Sequence, residues 1–247
     1  MKRIISLLAL AVTMLALISC NETSRKKALL PNISGKAGEV IVVINKGDWE
    51  GAVGTTLRDT LAKDCPFLPQ KEPLYTLVDV IPSGFTNMFQ IHRNIVIVRI
   101  GNDVVEPGVN IRYDVWARPQ CVITINAIDS DSAVQLIKEN SKRIITSLEQ
   151  IERDRIIANS KKYEERSIAP AVTEMIGGSP HFPSGYRLKK KTDDFIWVEY
   201  SVQYVTQGIL IYKYPVVEGE DMMNLDNIIE ENNAMLKANV PGMFENT

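Results

Sequence analysis

Glu39-Val40-Ile41-Val42-Val43-Ile44-Asn45 is an unbroken β-branched apolar run bounded by polar residues. A strand with one wet face alternates apolar and polar residues, so this run has the pattern of a strand covered on both faces. A helix is expected directly after it. Asp48 stands where it can cap the N-terminus, and Trp49, Val53, Leu57 and Leu61 recur every four residues on one face. Outward from this pair the same alternation continues, with a strand expected over 74–81, a short helix over 85–91 and a strand over 94–100. These short spacings predict an α+β fold, a mixed sheet with helices in an α/β layered sandwich.

Tyr113 to Gln120 reads as a loop or irregular edge, with Pro119 marking the entrance of a strand over 121–127 because it cannot donate to a ladder. Asp129-Ser130-Asp131-Ser132 offers helix caps, and Ser132 with Gln135 has the spacing of a capping box. Val134, Ile137, Ser141, Ile144, Leu148 and Ile151 then repeat at helical spacing, and the helix is expected to run to about residue 163. At 1.5 Å per residue it would measure about 45 Å, longer than a small domain is wide, so two lobes joined by a long helix are expected.

A second lobe is expected from Glu164, beginning with a short helix stopped by Gly177-Gly178. A hairpin of 195–202 and 209–214 follows, connected by 203–208, and then a helix whose inner face is Leu225, Ile228, Ile229, Asn232, Met235 and Leu236. The expected organisation is a signal peptide over 1–19, a flexible tether over 20–37, an N-terminal α/β lobe with the long helix over 38–163, and an α+β lobe over 164–247. The last reads as incomplete at its C-terminus.

The signal assignment rests on Lys2 and Arg3, the apolar stretch 4–18, and Leu17-Ile18-Ser19-Cys20. A peptidase cutting after small Ser19 would leave Cys20 as the acceptor of diacylglycerol and further acyl chains such as palmitate. Fifteen helical residues span about 22 Å against a hydrocarbon core of roughly 30 Å, too short for a transmembrane anchor. Each buried methylene contributes about 0.8 kcal/mol, so two or three chains would hold the mature protein on a membrane. Asn21 to Lys26 lacks a lysine followed by acidic pairs, the pattern of a surface-export tag. A periplasm-facing place on the outer membrane is therefore expected.

With 45% hydrophobic residues the chain has the composition of a folded protein. Removing Lys2 and Arg3 from 28 basic residues leaves 26 against 30 acidic ones, a net charge of about -4. Nucleic-acid binding would lack its electrostatic driving force. Cys65 and Cys121 can pair in an exported compartment if their Cα atoms approach within about 7 Å, but a buried free thiol fits the apolar run at Cys121 equally well.

The sequence shows no assembled catalytic or cofactor motif. His92 and His181 are the only histidines and lie far apart. No nucleophile elbow surrounds a serine, and Asn45-Lys46-Gly47-Asp48 replaces a phosphate loop after the first strand. Asp129 to Ser132 lacks the glycine and glutamate of a calcium loop, so capping explains it. Glu218-Gly219-Glu220-Asp221 similarly precedes a helix. Cofactors and metal ligands are accordingly expected to be none.

Trp197, Tyr200, Tyr204, Tyr212 and Tyr214 crowd the hairpin, where a ring platform would stack on sugars or a partner. Alternation sends Trp197 opposite to Tyr200, which favours packing on both faces. Lys189-Lys190-Lys191 beside them reads as a protected strand edge, with anionic headgroups as the alternative target. Asp59-Thr60-Leu61 and Asp131-Ser132-Ala133 have the form of O-glycosylation acceptors, at Thr60 and Ser132.

Three stretches carry a family resemblance. They are Gly38-Glu39-Val40-Ile41-Val42-Val43 before Asp48-Trp49, Asp114-Val115-Trp116-Ala117-Arg118-Pro119-Gln120, and Gly185-Tyr186-Arg187-Leu188-Lys189-Lys190-Lys191-Thr192-Asp193-Asp194-Phe195-Ile196-Trp197. Together they resemble the Bacteroidetes lipoproteins containing domain of unknown function 4837, across most of the mature chain. The resemblance implies an address and an architecture, with no assigned activity. The leading expectation is a lipid-anchored, non-catalytic envelope protein that binds a partner or scaffolds an assembly. The alternative is an envelope hydrolase or glycan-processing enzyme built from Asp48, Asp114, Asp193 and Glu199, whose signature would be two carboxylates about 5 to 9 Å apart in a cleft.

Overall fold

The computed structural model describes residues 29–66, 68–219, 221–240 and 242. The signal peptide, Cys20 and most of the tether lie outside the described residues. The elements are β1 (Glu39–Val43), α1 (Lys46–Glu50), α2 (Ala52–Leu61), β2 (Thr76–Val80), α3 (Asn87–Gln90), β3 (Asn94–Ile100), β4 (Gly108–Tyr113) and β5 (Cys121–Ala127). They continue with α4 (Ser130–Lys162), α5 (Ala169–Ile176), β6 (Arg187–Lys191), β7 (Phe195–Val202), β8 (Val205–Tyr212) and α6 (Leu225–Asn239). This is the expected α+β class. The chain forms two compact units that divide between Arg155 and Ile156, inside α4, rather than at residue 164.

The first unit holds a five-stranded sheet in the order β2-β1-β3-β5-β4. β1, β2, β3 and β5 are parallel, and β4 runs antiparallel along the outer edge of β5. The β-branched run explains why β1 is an interior strand covered on both faces: Val40, Val42 and Ile44 pack on one side with Val53, Leu57, Leu61, Ile137, Ile144 and Leu148 of α2 and α4. Ile41 and Val43 face the other side with Ile95, Ile97 and Val122, under Phe85, Phe89, Val115 and Trp116. Phe85 and Trp116 meet edge to face with ring centroids 5.6 Å apart.

Several expectations change in detail. The helix after β1 is broken at Gly51, and Asp48 lies in the first turn of α1 behind Asn45 rather than capping it. Strand β4 is an edge strand not expected from sequence, although Val109-Asn110-Ile111-Arg112 alternates apolar and polar residues, because the run is short and only half-buried on its apolar side. The capping box of α4 is Asp129 with Ser132, not Ser132 with Gln135. The Ser132 N–H donates to Asp129 Oδ1 at 2.8 Å and the Asp129 N–H to Ser132 Oγ at 3.2 Å. Gln135 donates instead to Glu139.

The tether also ends earlier than Gly38. The Arg118 N–H donates to Pro31 O at 2.9 Å, and the Ser34 N–H donates to Ile91 O at 2.9 Å. Gly35 sits so close to the His92 ring that a Cβ there would collide with it.

The second unit is a three-stranded antiparallel sheet, β6-β7-β8. Ile196, Val198, Ile209 and Ile211 pack with Ile168, Val172 and Phe182. The opposite face carries Phe195 stacked on Tyr212, whose hydroxyl donates to Asn232 of α6 at 3.0 Å. The hairpin turn is only Gln203-Tyr204, because β8 begins at Val205 and pairs it with Val202. On α6, Leu225 and Ile229 are exposed rather than on the inner face. Gly177 ends α5 at φ 80°, a left-handed conformation that favours glycine.

Candidate functional site

Parallel strands aim their C-terminal ends at one edge, and a ligand crevice forms where the order of winding reverses. Here the chain passes from β1 outward to β2, then crosses back to place β3 on the other side of β1. At that reversal lies an open cleft of about 620 Å³ lined by Asn45, Pro82, Arg99, Asp103, Glu106 and Asn126, among others. Asn45 follows β1, Pro82 follows β2, and Asp103 and Glu106 belong to the connection after β3.

A smaller recess of about 190 Å³ adjoins it, lined by Arg99, Asn110, Arg112, Thr124 and Asn126. Register explains the convergence. Arg99 is opposite Asn126, Asn110 is opposite Thr124, and Arg112 is opposite Val122. The sheet face that is apolar through Ile95, Ile97 and Val122 thus becomes polar through Arg99, Thr124 and Asn126. The site was missed in sequence for two reasons. Asn110 and Arg112 lie on the unexpected β4, whose short alternation over Val109 to Arg112 is the signal that could have found them, and Arg99, Thr124 and Asn126 show in sequence only as polar residues in phase within apolar strands.

Most of the residues singled out in sequence are engaged in bonds of their own. His92 is buried, with Nδ1 3.2 Å from Asn94 O and Nε2 3.5 Å from Glu39 Oε2. The Lys36 N–H bond to Glu39 holds that carboxyl below its ordinary range, aided by His92. His181 Nδ1 lies 2.8 Å from Glu164 Oε1 in the second unit, where the Glu165 N–H also donates to Phe182 O.

The four acids proposed for hydrolysis divide between the two units, Asp48 and Asp114 in the first and Asp193 and Glu199 in the second. Asp48 follows the C-terminal end of β1, where it accepts from Ser130 Oγ at 3.3 Å. Asp114 follows β4, which runs antiparallel, and so lies at the opposite edge of the same sheet. There it accepts from the Gln120 N–H at 3.1 Å and pairs with Arg118. Glu199 of β7 pairs with Lys189, and Asp193 lies in the turn between β6 and β7.

The Asp114 to Gln120 stretch has a clear structural role. Gln120 is fully buried and its amide donates to Gln90 O at 2.6 Å and His92 O at 2.7 Å. Its carbonyl accepts from the backbone of Trp116 and Ala117. Four backbone groups of two loops are thereby satisfied by one side chain. Beside it, Arg155 and Arg93 both pair with Glu152.

Cys65 and Cys121 are both free thiols. Burial pushes the Cys121 thiol up to about 12. The hydroxyls of Thr60 and Ser132 donate to backbone carbonyls of Thr56 and Asp129. The hairpin rings divide between two faces, as alternation predicts, and Tyr204 stands exposed at the turn. Trp197 Nε1 is buried without a partner among the described residues. The lysine run is occupied internally: Lys190 donates to Asn239 O at 2.9 Å, Lys189 pairs with Glu199 and Lys191 pairs with Glu174. Among the described residues no cluster of His, Cys, Asp and Glu is arranged to hold a metal, and no helix is long and apolar enough to cross a membrane.

Fold and site define a two-unit α+β protein with an open cleft of mixed polar and apolar lining at the strand-order reversal of its first sheet. The chain belongs to the family of the Domain of unknown function (DUF8532), whose model matches residues 33–161, just over half of the chain. A second model, the Domain of unknown function (DUF4837), matches residues 165–247. The resemblance to domain 4837 therefore holds for the Gly185 to Trp197 stretch. The Gly38 to Val43 and Asp114 to Gln120 stretches fall in the other family's region. No curated protein and no solved structure matches the chain.

Proposed function

We propose that this chain is a lipid-anchored cell-envelope protein that acts as a non-catalytic binding or scaffolding module. In this reading residues 1–19 are a signal peptide and Cys20 carries the lipid. The first unit then faces the periplasm from the outer membrane, as in the Bacteroidetes lipoproteins that the sequence resembles. The observation that carries the binding part is the site itself. Its polar side chains converge on an open cleft that carries Asp103 and Glu106 but no histidine, while His92, His181 and Asp114 are each held in structural bonds. A binding surface needs convergence and exposure, whereas acid-base chemistry needs paired titratable groups within reach of one another.

The test is crosslinking in native membranes followed by mass spectrometry, comparing the intact protein with Cys20→Ser. A stoichiometric envelope partner enriched with the intact protein and lost with Cys20→Ser is the expected result. Retention of Cys20→Ser in the membrane fraction would refute the lipid anchor. Absence of any enriched partner despite correct fractionation would refute the module.

A further inference from the structure

We propose that the recess over β3, β5 and β4 is a phosphate site, which takes the dianionic phosphoryl group of a small ligand, either inorganic phosphate or a phosphomonoester. The inference deepens the binding-module reading and rests on it. Five side chains line the recess, and every one can donate a hydrogen bond: the guanidinium groups of Arg99 and Arg112, the amides of Asn110 and Asn126, and the hydroxyl of Thr124. No carboxylate is among them.

Among the described residues none of the five makes a side-chain hydrogen bond or ion pair with the protein. Other arginines of the same unit are engaged: Arg58 with Trp49 O, Arg118 with Asp114, Arg143 with Val109 O. Thr124 is only 8% exposed, and its hydroxyl, which has no protein partner among the described residues, is open to solvent where the residue lines the recess.

Charge selects the ligand. Arg99 and Arg112 extend from strands on either side of β5, on the same face, so two like charges border one small volume. A phosphomonoester carries about -1.5 to -2 at neutral pH and offers three acceptor oxygens, which matches two guanidinium forks with neutral donors between them. A single carboxylate would leave one guanidinium without a counter-charge. Asp103 and Glu106 line the adjoining cleft, which shares Arg99 and Asn126 with the recess. They disfavour a ligand with a second anionic group there, so a dicarboxylate spanning both volumes is a poor fit.

The test is titration calorimetry of the full chain in detergent with inorganic phosphate, glycerol phosphate and succinate. The proposal expects at least one phosphate probe to bind at least about tenfold more tightly than succinate. Arg99→Gln and Arg112→Gln should each weaken that binding about tenfold or more, with melting curves like those of the unmodified chain. Tighter binding of glycerol phosphate supports an ester whose organic part occupies the cleft, and tighter binding of inorganic phosphate supports the free ion. The proposal is overturned if neither phosphate probe binds, if succinate binds equally well, or if the double variant binds as the unmodified chain does. Membrane crosslinking is read separately: a recovered partner without phosphate binding sinks the phosphate site alone.

Discussion

Replacing Arg155 with methionine tests the reasoning about the N-terminal edge of the first sheet most severely. The Arg155 side chain is 7% exposed, and its guanidinium donates five hydrogen bonds. Nε and Nη2 both reach Pro119 O, at 3.1 and 2.9 Å. Nη1 reaches Asn94 Oδ1 at 3.1 Å and Glu152 Oε1 at 2.8 Å, and Nη2 reaches Arg93 O at 2.8 Å. Methionine keeps most of the stem volume but abandons all five bonds, which reach four acceptors. Glu152 keeps Arg93 and Asn94, so its charge is not left alone. Removing one member of a buried ion pair costs about 3–5 kcal/mol, and the surviving partners place this case near about 3 kcal/mol. Hydrogen exchange is the assay. Where exchange proceeds through unfolding of the unit, amides of 94–100 and 121–127 should exchange on the order of 100-fold faster. Amides of 195–202, in the other unit, serve as the reference. Arg153→Ala removes an exposed pair with Glu149 and should change stability by about 0.5 kcal/mol or less. An Arg155→Met loss below about 1 kcal/mol would refute the claim that this network holds β3 and β5 to α4.

Thiol labelling of a Cys20→Ser chain at about pH 8 should modify Cys65 in the folded protein and Cys121 only on unfolding, because a thiol held neutral is a poor nucleophile. Rapid modification of Cys121 in the folded state would contradict its burial. The unfolded thiol titrates near about 8.5 and the folded one higher, so the unfolded state loses its proton first as pH rises. Stability should therefore fall above about pH 9, and Cys121→Ala should remove that part of the decline in the urea midpoint. Gly177→Ala should cost about 1 kcal/mol, since alanine must adopt the left-handed φ of 80° that ends α5. Urea unfolding followed at Trp197, the one tryptophan of that unit, measures it, and an unchanged midpoint would refute the cap.

Much of the framework was legible in the residues. Strands 94–100 and 121–127 were predicted at their observed limits, because a β-branched run buried on both faces leaves no competing periodicity. The long helix was equally plain, since Ile137, Ile144 and Leu148 must all reach one core. Edges were harder to read. β4 and β6 bury little and are placed by pairing with β5 and β7 rather than by their own composition. The tether's inner end was likewise hidden, for Pro31 and Ser34 become ordered through bonds to residues more than fifty positions away.

What the sequence determined alone was therefore local: which segments are strands and helices, and that no catalytic motif is written in consecutive residues. Tertiary structure decided which polar groups meet. Arg99, Arg112 and Thr124 share a recess only because β4 reverses direction and lies on β5 in one register; a slip of one residue would turn Arg112 to the opposite face. Asp48 and Asp114 lie at opposite edges for the same reason, since strand direction fixes which edge a connection emerges from. Pairing register and strand direction are properties of partners distant in the chain, which is why neither could be read from the residues that obey them.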